Sequence, residues 1–274
     1  MCNSSDIQDE GKLSAGESVL FFFIILPVVL AGGALLQNWK LREGTLVTEW
    51  CLILAPTLLF LKIRGKHAAE TLKINLPQNR HLLASLVLAL SAIPLITELS
   101  VIQDSVFPIP EELIEAMNRA FTFQEGESIL VTFLAFSVTP AICEETLFRG
   151  VLLQGFLSRL GRNRAVFYSG LLFGLFHLNI YRFLPTACIG MIIGYLVVMS
   201  SSLLPGILYH AVNNAFALSA LNITSLRNYP WLYEESHIPL PILFISVAAF
   251  YYGIKLLKPA EANPVKLPEQ GGVL

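Results

Sequence analysis

Glu144-Glu145-Thr146-Leu147-Phe148-Arg149 stands inside an apolar run that begins near Ile129. Its reading decides the fold. Two adjacent carboxylates and a guanidinium cost about 2.5–3.5 kcal/mol per charge at the centre of a membrane helix, even on lenient insertion scales. Such groups persist there when they pair, line a water-filled cavity or do chemistry. Two further apolar segments each carry a histidine, His177 and His210.

The composition places these residues in an integral membrane protein. Of 274 residues, 54% are hydrophobic and 14% charged, against about 25% charged in soluble domains. The net charge of −2 and the lack of a basic aromatic patch speak against nucleic acid as a partner. Cys2, Cys51, Cys143 and Cys188 are scattered, without a C-x-x-C pair. That spacing argues against a disulfide framework or a structural zinc site.

Apolar runs measured against the ~20 residues needed to cross a bilayer predict an all-α, polytopic bundle of about eight transmembrane helices. The spans are 19–37, 46–63, 82–103, 128–157, 165–181, 183–200, 203–221 and 238–257. A polar N-terminal segment, 1–18, precedes the single bundle, 19–257, whose motif-bearing core is 128–221. The tail, 258–274, reads as disordered. Leu113, Met117 and Phe121 repeat at helical spacing beside Glu111, Glu112, Glu115 and Arg119, which predicts an amphipathic surface helix between the third and fourth spans. With both termini in the cytoplasm, one side holds twelve basic residues: Lys12, those from Lys62 to Arg80, from Arg159 to Arg164, and from Lys255 to Lys266. The other side holds five, and this bias favours cytoplasmic termini in a cytoplasmic or inner membrane.

Glu145 and Arg149 are four apart, share a helix face and can pair. Glu144 points about 100° away and is left for a cavity. Phe173 stands one turn before His177, and Gly170 and Gly174 allow close helix approach. His210 and Asn214 share a face and can both donate to one oxygen. Interhelical bonding alone would explain Glu145 with Arg149, or His210 with Asn214, but leaves Glu144 over. Together the residues suit water-mediated peptide hydrolysis. Glu144 takes a proton from a water positioned by His177, and His210 with Asn214 stabilises the oxyanion.

The order E-E-x-x-x-R, F-x-x-x-H, H-x-x-x-N, here Glu144, Glu145 and Arg149, then Phe173 and His177, then His210 and Asn214, resembles the CAAX protease and bacteriocin-processing family (CPBP, Abi), which includes the CAAX prenyl endopeptidases. The resemblance implies an eight-helix bundle with a cavity open to lipid and to the cytoplasm. It implies Glu144 and His177 as the water-activating pair, His210 and Asn214 as the oxyanion hole, and Glu145 and Arg149 in support. It implies a peptide or prenylated-peptide substrate met within membrane lipid. No cofactor is required; the alternative is Zn²⁺ on Glu144, His177 and His210. A proton-coupled transporter and an inactive scaffold or immunity protein of the same fold are the rival functions.

Overall fold

The computed structural model describes residues 13–124, 126, 128–227, 229 and 236–259; the side chain of Arg227 lies outside this description. The first twelve residues and those from 260 onward, with Cys2 and most of the tail read as disordered, also lie outside it. Among the described residues nine principal helices follow in order: α1 (Ala15–Trp39), α2 (Leu41–Ile63), α3 (Asn79–Val106), α4 (Glu111–Phe121), α5 (Ile129–Leu157), α6 (Arg162–Phe176), α7 (Phe183–Ser200), α8 (Leu204–Asn222) and α9 (Leu240–Leu256). There is no β-strand among the described residues. Helices α1, α2, α3, α5 and α7 are long and apolar enough to cross a membrane, and α9 is a shorter apolar helix. The protein is a multi-pass helical membrane bundle. The amphipathic segment forms α4.

Helix limits differ from the expected spans for local reasons. Helix α1 starts at Ala15, within the segment read as polar, because Ser14 and Glu17 form a capping box that satisfies two otherwise orphaned N–H groups. Helix α6 ends at Phe176 rather than near 181. Leu178 takes a positive φ of 44°, and Asn179 Oδ1 accepts from the Tyr181 amide, the local bond by which asparagine favours a turn. His177 is therefore the C-cap of α6 and is exposed.

Helices α2 and α5 are widened by π turns at Thr48–Leu54, Leu134–Val138 and Thr146–Leu152. Pro56 and Pro140 follow the first two. A proline ring clashes with the carbonyl four residues back, here Leu52 and Phe136, and each lies in the widened turn.

The helix ends sort into two sets. On one side, the Leu203 amide donates to Lys73 O, Ser202 Oγ donates to Asn75 O, and His81 Nε2 meets Lys258 O. On the other, Arg42 donates to Thr122 O, Asn222 to Phe121 O, and Gln103 to Ile180 O. The N-terminus of α1 belongs to the first side, where Arg64 pairs with Glu17.

Helices α6 and α7 approach closely through glycine. A Cβ on Gly170 would stand 2.9 Å from Met191 N and 3.0 Å from Ala187 O, both backbone atoms that cannot swing aside. One on Gly190 would stand 3.0 Å from Gly170 Cα. Gly170→Val should therefore separate α6 from α7, at a cost of about 1–3 kcal/mol. Thermal unfolding in detergent should show a lowered midpoint, while Gly161→Ala, whose Cβ meets nothing, should not move it on steric grounds.

Candidate active site

The site is built around Arg149, which is fully buried with Glu145. Arg149 Nη1 donates to Glu145 Oε1 at 2.9 Å, and Nη2 donates to the Gly190 carbonyl at 2.7 Å. Its Cζ lies 4.5 Å from the centroid of the Phe173 ring, a geometry in which the negative ring face attracts a cation. One carboxylate, one carbonyl and one aromatic face thus surround a charge that would otherwise be costly to bury.

Glu145 Oε1 accepts a second hydrogen bond, from His210 Nδ1 at 2.8 Å. A carboxylate only accepts, so His210 carries its proton on Nδ1 here. Its other nitrogen, Nε2, lies 4.0 Å from Glu144 Oε2. Glu144 is 7% exposed, and its Oε2 is buried without a hydrogen-bond partner among the described residues. Leaving such an oxygen unsatisfied costs about 1–3 kcal/mol, more when charged.

Phe173 gathers the remaining members. Its ring lies 5.0 Å from that of His177 and 5.6 Å from that of His210, edge to face. Its carbonyl accepts from His177 Nδ1 at 2.9 Å, so in neutral His177 the free lone pair is on Nε2. Asn214 is half-buried one turn beyond His210. Its Oδ1 accepts from Asn213 Nδ2 at 3.4 Å, and its own amide N–H groups are donors. The structure thus links Glu145, Arg149 and His210 by direct hydrogen bonds, sets Glu144 beside His210, and ties His177 in through Phe173. Glu144 thus has His210 Nε2 beside it at 4.0 Å, a neighbour the sequence reading did not give it.

Two participants were missed. The Gly190 carbonyl carries no side-chain signal. Glu49 on α2 is 7% exposed and its carboxylate interacts electrostatically with that of Glu144. A lone acid within an apolar run was the available signal, by the same logic that singled out Glu144. Among the described residues, no three His, Cys, Asp or Glu side chains gather as metal ligands.

A cavity of about 360 Å³ lies between α3, α7 and α8, with Thr97, Ser100, Asn118, Arg182 and Asn213 among its lining. It reaches the side where α4 and the α6–α7 turn lie, away from the N-terminus of α1 and the C-terminus of α9.

Fold and site together define a helical membrane protein with a buried glutamate, arginine and histidine centre. Residues 126–216 match the family model described as type II CAAX prenyl endopeptidase Rce1-like. All six candidate site residues lie within the segment that is similar to this family of CAAX-type proteases. No curated protein and no solved structure matches the chain.

Removing the guanidinium would leave Glu145 buried and uncompensated. Arg149→Ala should cost on the order of 3–5 kcal/mol, seen as a lowered unfolding midpoint in detergent. Adding Glu145→Gln to that variant should recover part of the loss.

Proposed function

We propose that this chain is an intramembrane endopeptidase that hydrolyses a peptide bond near a membrane-embedded or lipidated C-terminus. The observation that carries the reading is the buried, unpartnered Glu144 Oε2 beside His210 Nε2. An oxygen within hydrogen-bond reach of both would sit at the apex of a triangle whose base is their 4.0 Å separation.

Glu144 takes a proton from the attacking water, which His177 orients through its free Nε2. The C=O electron pair moves onto oxygen as the new C–O bond forms. His210 Nε2 and the Asn214 amide donate to that oxyanion. Nδ1 of His210 already gives its proton to Glu145, so donation from Nε2 requires the doubly protonated ring. Glu145 holds that ring in place, and Arg149 holds Glu145.

The match to the Rce1-like family model and the apolar surroundings support the substrate class: a peptide or prenylated peptide presented in lipid. Charge asymmetry favours the ends of α1 and α9 in the cytoplasm. With that orientation the cavity described above opens away from the cytoplasm, opposite to what the family resemblance implies. Cysteines placed at Lys66 and Gln124 distinguish the two: an impermeant maleimide added outside intact cells should label Gln124→Cys and spare Lys66→Cys. The reverse labelling would place the cavity mouth in the cytoplasm.

Purified protein in nanodiscs, offered membrane-associated and prenylated peptides, should cleave a member of the set. Glu144→Gln and His177→Ala should abolish cleavage. Asn214→Ala should lower kcat by about 10²–10³-fold with an unchanged unfolding midpoint. Activity that survives a chelator would support the metal-free route; activity lost to it and restored by Zn²⁺ would assign the water to a metal. Wild-type activity in Glu144→Gln would overturn the reading.

A further inference from the structure

Glu49 belongs to α2, outside the segment that matches the family model, and takes no part in the chemistry above. It is 7% exposed, and its Oε2 is buried without a hydrogen-bond partner among the described residues. It lies in the π turn Thr48–Leu54, against the part of α5 that holds Cys143, Glu144 and Glu145. Its carboxylate and that of Glu144 interact electrostatically, and the Cys143 thiol feels both.

The surrounding cations act on Glu144 rather than on Glu49. Arg149 holds Glu145, the Gly190 carbonyl and Phe173, and its charge also attracts Glu144. His210 gives Nδ1 to Glu145 and sets Nε2 4.0 Å from Glu144. Arg42, two turns before Glu49 on α2, donates to Thr132 Oγ1 and Thr122 O. Helix α1, which packs against α2, has no charge between Glu17 and Lys40. Two carboxylates so placed, away from bulk water, do not both ionise readily, and like-charged acid pairs in enzymes hold one proton between them.

We propose that Glu49 is a positioning residue that shares one proton with Glu144, making the glutamate of the motif half of a carboxyl dyad. The proposal rests on the protease reading for its catalytic half. Before reaction, Glu144 is the carboxylate and Glu49 the acid. Water attacks the carbonyl carbon and gives a proton to Glu144. When the tetrahedral intermediate collapses, the C–N bond breaks and nitrogen keeps the bonding pair. The nitrogen takes its proton from Glu144, and Glu49 keeps its own. The products are a carboxylic acid and an amine, and the dyad again holds one proton.

Two measurements test this. In the cleavage assay, Glu49→Gln should lower kcat on the order of a hundredfold with little change in KM, and Glu49→Asp should restore much of the loss. Wild-type kcat in Glu49→Gln would overturn the proposal. Infrared spectra of the purified protein, with no substrate, should show a protonated-carboxyl band that is sensitive to deuteration. Glu49→Gln and Glu144→Gln should each shift or remove that band. Its absence from the wild type, or its indifference to Glu144→Gln, would also overturn the dyad. Because this second readout needs no turnover, it separates failure of the dyad from failure of the protease reading.

Discussion

A guanidinium with no access to water is the constraint on which this bundle turns. Arg149 has to find its partners inside the protein, and they come from three helices: Glu145 and the Phe148 ring from its own α5, the Phe173 ring from α6 and the Gly190 carbonyl from α7. Meeting the need of one side chain therefore fixes how three helices stand together. Glu145 passes the constraint on to α8 through His210. The glycines at 170 and 190 serve the same end, because only a close approach of α6 and α7 brings the Gly190 carbonyl and the Phe173 ring to one cation.

This arrangement separates holding from reacting. Glu145 spends its Oε1 on a cation and a histidine and keeps Oε2 without a hydrogen-bond partner among the described residues, whereas Glu144, one residue earlier, turns its Oε2 toward His210 Nε2 at 4.0 Å. Adjacent residues of one type thus divide two tasks because a helix turns them to different neighbours. Phe173 does comparable work without any polar group of its own. Its ring meets two histidines in T-shaped contacts and its face meets the arginine, so an apolar side chain sets the spacing of the polar ones.

Much of this was legible in the chain. The all-helical membrane bundle followed from the apolar runs, and the pairing of Glu145 with Arg149 followed from their spacing. The surface helix at Glu111–Phe121 followed from its alternation of acids and large apolar residues. What could not be read was what depends on other helices or on backbone. The Gly190 carbonyl is one of many identical acceptors until the fold selects it. The second bond of Glu145, to His210, joins residues 65 apart. His177 lies at a helix end because Leu178 and Asn179 form a turn, a local signal hidden in a run that reads as continuous apolar span. Glu49 was visible as a lone acid, but its relation to Glu144 was not, since α2 and α5 meet only in the folded chain.

The π turns bear on how such a chain can be compared with others. A π turn inserts one residue without lengthening the membrane crossing by a full turn, so a helical wheel drawn at a uniform 100° per residue loses its phase on passing each one. Helix α5 contains two, one on either side of Glu144 and Glu145. Where an alignment opens a one-residue gap at Leu134–Val138, the helix need not be shorter. It can instead be rotated, so that the same letters face different neighbours. Along this helix, correspondence between relatives is a matter of azimuth as much as of sequence position.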